Sequence, residues 1–165
     1  MPRRVMRRIA LLVSVTALTL MACASDDPGE PGSRATQAET TSSGPVSNAC
    51  PVDGCAIQIV DAARKGKEIA VTWEANFEPD VSKNHIHVYW DIYTADEVSS
   101  DAEARGEDQG EWVPTDAIPT YVTESAVSVK TRGDSTTICV TAGDRDHAVI
   151  DSSIVDCRDV ADLLL

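Results

Sequence analysis

The sequence predicts a mainly β fold, an immunoglobulin- or fibronectin-III-like antiparallel β-sandwich with one inserted short helix at about 94–106. Three observations predict it: two stretches alternate apolar and polar residues with period two, turn-forming residues punctuate the chain between short apolar runs, and two pairs of cysteines suit a disulfide-bonded domain. The strongest alternation runs over 85–92, where Ile86, Val88, Trp90 and Ile92 interleave with His85, His87, Tyr89 and Asp91, the pattern of a half-buried strand. Residues 68–74 alternate likewise, with Ile69, Val71 and Trp73 on one face. Further strands are expected over 56–60, 126–131, 136–142 and 148–150, separated by Arg64-Lys65-Gly66-Lys67, Pro79-Asp80 and Arg132-Gly133-Asp134. Thr94 and Glu97 spell a capping box, and the run through Ala102, Ala104 and Arg105 meets Gly106, so a helix is placed there as an insertion between strands. A second short helix is expected over 158–165.

The domain is preceded by two segments of different character. Residues 1–22 read as a signal peptide: Arg3, Arg4, Arg7 and Arg8 form a positive n-region, and the uncharged run from Ile9 to Met21 is too short to span a membrane. The pair Arg3-Arg4 lacks the flanking residues of a twin-arginine signal, which favours general secretion. Leu20-Met21-Ala22-Cys23 resembles the lipobox of bacterial lipoproteins, and the resemblance implies cleavage before Cys23 and lipidation (palmitate) of that cysteine. From 23 to 48 the composition turns to Ser, Thr, Pro, Gly, Ala, Asp and Glu, with Val46 the only large aliphatic residue. Such a segment buries too little apolar surface to order itself and is expected to be a flexible tether reaching on the order of 30 Å. Residues 49–165 then form one β-sandwich domain.

Charge and cysteines narrow the setting. The chain carries 14 basic and 27 acidic residues, and loss of residues 1–22 removes four arginines and no acids, leaving 10 against 27, a net charge of −17. A domain so acidic is repelled by nucleic acid and by anionic headgroups, so the expected partners are the membrane, through the lipid anchor alone, and an envelope protein or small ligand. The expected location is the cell membrane, with the domain on the extracytoplasmic side. With Cys23 assigned to lipid, Cys50, Cys55, Cys139 and Cys157 remain; three connectivities are open, and proximity in sequence favours Cys50–Cys55 with Cys139–Cys157. Their spacings lack the tight C-x-x-C pairs of four-cysteine zinc sites.

No catalytic constellation is found. There is no G-x-S-x-G elbow, and the serines lie mostly in polar loop or tether sequence. Arg132-Gly133-Asp134 reads as a turn, and the acids Asp96, Glu97, Asp101, Glu103, Glu107, Asp108 and Glu111 read as a solvated face without calcium-loop spacing. Trp112 and Tyr121, near those acids, are candidate interface anchors. Histidine offers the remaining chemistry. Residues i and i+2 of a strand face one side about 7 Å apart, so His85 and His87 can converge on one zinc or copper ion, with His147 approaching from a loop and Asp91 as a further ligand or its support. Against that stands the reading in which the two histidines decorate the solvent face, which the sequence favours.

The runs HIHVYWD and ICVTAGDRDHAVIDSSIVDC resemble secreted or lipid-anchored bacterial β-domains that share an H-x-H strand and a later cysteine, histidine and cysteine segment. The resemblance involves His85, His87, Asp91, Cys139, His147 and Cys157; it implies the Cys139–Cys157 pairing and a β-domain, and brings no activity. The sequence therefore points to a membrane-anchored extracytoplasmic binding or interaction module, not an enzyme, with a metal-binding envelope protein as the alternative.

Overall fold

In the computed structural model, which describes residues 47–164, the alternating segments pair into two antiparallel sheets. The signal segment, the lipobox with Cys23 and nearly all of the tether lie outside the described residues. One sheet holds β1 (Ile57–Lys65), β2 (Glu68–Ala75) and β5 (Thr120–Val122), in the order β1-β2-β5. The other holds β3 (His85–Trp90), β4 (Val113–Thr115), β6 (Thr137–Gly143) and β7 (Val155–Asp159), in the order β4-β3-β6-β7. Gly66 turns the β1–β2 hairpin at φ 67°, a conformation that costs glycine little.

Alternation places Ile69, Val71 and Trp73 of one sheet and Ile86, Val88, Trp90, Ile138, Val140 and Ala142 of the other in a single buried cluster. The two sheets thus share one core, consistent with a β-sandwich, and each large apolar side chain withdrawn from water contributes about 1.5–3 kcal/mol. The indole N–H groups of the two buried tryptophans are met: Trp73 Nε1 donates to the Ala117 carbonyl at 2.9 Å and Trp90 Nε1 to that of Val127 at 3.1 Å, whereas the buried Tyr121 hydroxyl has no partner among the described residues.

Several local expectations are corrected. The predicted strand over 126–131 is instead a 3-10 turn (Ser125–Val127) followed by further turns, with Val127 buried. Glu68 explains this: its carboxylate accepts from Thr123 Oγ1 and Ser128 Oγ, each at 2.7 Å, and from Val129 N at 2.9 Å, bonds that compete with a sheet ladder. Partial burial raises the Glu68 carboxyl pKa, and those donors outweigh it and lower it. The helix expected over 94–106 shrinks to α1 (Ala102–Arg105). Its capping box does form, with Thr94 N donating to Glu97 Oε2 at 2.6 Å, but it closes a turn. Beyond that turn Val98 and Ser99 are drawn inward, and the Ser99 hydroxyl bonds the Asp101 carboxylate, interrupting the helix.

Strand β3 ends at Trp90, so Ile92 stands in a turn, 46% exposed. The strand expected over 148–150 is reduced to one bridge, Val149 to Gly143. The helix expected over 158–165 gives way to the end of β7 and a 3-10 turn, Ala161–Leu163, because Cys157 must lie directly opposite Cys139 in the β6–β7 ladder. The three-residue strands β4 and β5 were not expected, being too short for a period, and β4 carries Pro114, which only an edge position accepts.

Both expected disulfides are formed, Cys50–Cys55 and Cys139–Cys157. The second closes a loop of sequence separation 18, which the chain-entropy relation converts to roughly 3 kcal/mol. The paired replacement Cys139→Ala/Cys157→Ala is therefore expected to lower the melting temperature by roughly 10 °C, measured calorimetrically. A shift near 1 °C would show that the bridge is not a stabilising cross-link.

Candidate metal centre

The histidines reach their places because β3 is buried on both faces. Ile86, Val88 and Trp90 face the shared core, while His85, His87 and Tyr89 face the other way and are also buried. That second face is covered by the long excursion between β3 and β4 and by the loop after β6, where Val98, Tyr93, Trp112 and Val149 pack with Tyr89 and Cys139. The expectation of a half-exposed strand fails for this reason: the polar members of the alternation line a second interior.

Backbone carbonyls set the tautomers of the two strand histidines. His85 Nδ1 lies 3.0 Å from the Lys83 carbonyl oxygen, and His87 Nδ1 2.7 Å from that of Val98. A carbonyl only accepts, so each Nδ1 is the donor and each neutral ring leaves its Nε2 lone pair bare. Those two Nε2 atoms stand 3.1 Å apart, and His147 Nδ1 lies 2.9 Å from His85 Nε2. The three prospective ligand atoms lie within 4.8 Å of one another. Two nitrogens on a tetrahedral ion at ordinary zinc–nitrogen distances stand about 3.3 Å apart, so two of the three pairs are near that spacing, and the wider remaining pair would draw together around an ion.

The electrostatics oppose a proton as the partner of these lone pairs. Burial pulls the His87 pKa down to about 4, against the contrary effect of its bond to Val98, and the neighbouring histidines lower it further. Burial likewise lowers His85, opposed by the Lys83 carbonyl and, more weakly, by the carboxylates of Asp144 and Asp116. A donated Nδ1–H from His147 would satisfy His85 Nε2 and leave His87 Nε2 facing another acceptor. A divalent cation would engage all three.

The covering segments are cross-braced so that the third ligand is held in place. Ser100 N donates to the His147 carbonyl at 2.9 Å and Ser100 Oγ to that of Asp146 at 2.7 Å; Val149 N donates to Ser99 Oγ at 2.9 Å. Asp144 folds the loop from beneath, its carboxylate accepting from Asp146 N at 2.8 Å and Ala148 N at 3.0 Å. Within this brace His147 adopts φ 63°, a left-handed conformation uncommon for a side-chain-bearing residue and frequent at functional sites.

The other expected site residues fare differently. Asp91, past the far end of β3, accepts from the Ser135 hydroxyl and is not brought to the histidines. Trp112 stacks on the His87 ring at 5.3 Å and 26°, forming a wall of the cluster. Tyr121 is buried, stacked on Trp73 at 5.8 Å and 17°, so as an exposed anchor it is corrected; its inward position completes the β5 face of the core. Among the acids of the excursion, Glu97 and Asp101 are engaged internally, Asp101 with Ser99 and with Arg105 at 2.6 Å.

Sequence reasoning missed Gly143. A Cβ at that position would fall 2.3 Å from His87 Nε2 and 2.8 Å from both adjoining ring carbons, so only glycine leaves room for the imidazole. Its backbone is not in the left-handed region; the requirement is space, which no single-sequence signal announces. Comparison with family models, with curated proteins and with solved structures returns no match to this chain.

Proposed function

We propose that this chain is an extracytoplasmic, lipid-anchored protein that binds one transition-metal ion, zinc or copper, through Nε2 of His85 and His87 and an imidazole nitrogen of His147. One observation carries the reading: two buried lone pairs, fixed by carbonyl-bound tautomers, face each other at 3.1 Å. Metal-ligating histidines usually donate their other ring N–H to a carboxylate, carbonyl or water, as these two do to carbonyls, and imidazole suits both ions. The alternative of an interaction module anchored on Trp112 and Tyr121 has less behind it, since Tyr121 is buried and Trp112 is stacked on His87.

Calorimetric titration of zinc and of copper into tag-free protein tests the proposal. Uptake of one equivalent is expected near neutral pH, weakened more than about a hundredfold by His147→Ala. His147 is the least buried of the three, so its truncation spares the interior. Wild type without uptake, or a variant that binds as tightly, would leave the histidines as a packing feature.

The immunoglobulin- or fibronectin-III-like topology belongs to this proposal too, supported by the seven strands among the described residues, divided three and four between two antiparallel sheets. So does anchorage through Cys23. Cys23→Ala is expected to release the protein from the membrane fraction or to leave an uncleaved precursor, as read by fractionation and intact mass. Unchanged processing and partitioning would remove the anchor from the proposal.

A further inference from the structure

Resting on that reading, we infer that the ion held by His85, His87 and His147 keeps a coordination position that opens to the cavity beside His147 and takes a small exogenous anion there. Three neutral imidazoles leave a divalent ion with its full charge and one ligand short of the four that zinc prefers. Among the described residues no carboxylate or thiolate joins the cluster. Asp91 is engaged with Ser135, and one Asp144 oxygen is committed to two backbone amides. The cysteines of the domain are oxidised.

The cavity supplies the space. About 300 Å³ in volume, it is lined by Gly110, Glu111, Trp112, Pro114, Ala126 and His147. It therefore touches one ligand directly and a second through Trp112, which lies on the His87 ring. His85 and His87 are closed off by the sheet and the excursion, whereas His147 is half-buried and borders the cavity, so access to the ion runs along this side. The volume exceeds by several-fold the share of one water, about 30 Å³, so a polyatomic anion fits. Its recognition would be the metal's charge and one donor atom, since Glu111 is the only ionisable wall residue besides His147.

The test uses copper(II)-loaded protein and azide as the probe anion, followed by visible absorption and electron paramagnetic resonance. A saturable spectral change with one azide per copper is expected, with copper content after desalting unchanged. Ala126→Phe, which adds bulk to the cavity wall at a residue that is not a ligand, is expected to retain copper and to weaken azide binding at least tenfold. Should that variant misfold, the wild-type titration decides alone. Stoichiometric copper with a spectrum indifferent to azide would overturn the inference while leaving metal binding intact. So would a response to azide that emerges only in Glu111→Gln, which would assign the position to the protein's own carboxylate. Azide that strips the copper also overturns it. Failure to take up copper would overturn the inference, and failure to take up zinc as well would overturn metal binding with it.

Discussion

Gly143→Ala is expected to weaken metal uptake by about a hundredfold, although it adds only a methyl group and is bonded to no ligand. The added carbon would lie 2.3 Å from His87 Nε2, well inside van der Waals contact, so either the imidazole leaves its place or the β3–β6 ladder separates. The first outcome breaks the bond from His87 Nδ1 to the Val98 carbonyl and turns the ligand atom away from His85. The second breaks pairing at the end of β6, where Gly143 lies opposite His85. Either route also loosens the excursion, and overpacking of this kind costs about 1–3 kcal/mol. Gly66→Ala is the matched control: nothing lies within 4 Å of its added carbon, and the cost is confined to a left-handed φ of 67°. It is expected to lose about 1 kcal/mol of stability and to bind metal as wild type does. Calorimetric titration with denaturant unfolding of both variants separates the two effects. Equal metal affinity in Gly143→Ala and wild type would mean that His87 does not hold the ion.

The elements legible in the sequence were those with a long period. Strands β2 and β3 carry alternation over most of their length, and the core residues Ile69, Val71, Trp73, Ile86, Val88 and Trp90 follow from it. The two disulfides followed from closeness in sequence, and the histidine cluster was named as a candidate. What alternation cannot reveal is whether the polar face meets water. His85 and His87 read as surface residues because polar side chains usually are, and their burial depends on the excursion folding back over the sheet. That fold-back rests on contacts between residues far apart in sequence, such as Ser100 with Asp146 and His87 with Val98, which no local pattern encodes. The acidic excursion misled for a related reason. Its charges suggest a solvated helix, whereas its few apolar and small residues, Val98, Ser99 and Ala102, are the ones that pack, and they set the backbone. Asp91 looked like a ligand from its place in the strand, but β3 ends before it and the chain turns away.

The metal-free protein is expected to lose stability as pH falls from about 6.5 to about 4, a window set by His87. Its folded pKa of about 4 lies below the ordinary imidazole value, so within this window the unfolded chain binds more protons than the folded one. Stability therefore rises with pH here; the contribution is fully present above about 6.5 and is lost as pH drops through about 4. For a side chain with no exposure the shift corresponds to on the order of 3 kcal/mol, a large part of the stability of a domain this size. His85, lowered in the same direction, adds to the effect. The carboxylates act in a separate, more acidic range: Glu68 and Asp101 are held below their ordinary values by hydrogen bonds, so their stabilisation is lost only as they are protonated below about pH 4. Saturating zinc at neutral pH should stabilise the fold by about 2.7 kcal/mol at a hundredfold excess over Kd, and that gain should shrink as protons compete for the same Nε2 lone pairs. Urea unfolding at a series of pH values, with and without zinc, measures both terms. His87→Gln serves as the reference, because it removes the titrating ring, so its slope against pH between about 4 and 6.5 should be shallower than that of wild type whatever its absolute stability. Parallel slopes for the two proteins would show that His87 is not held neutral in the fold, and would remove the acid sensitivity from the account of this site.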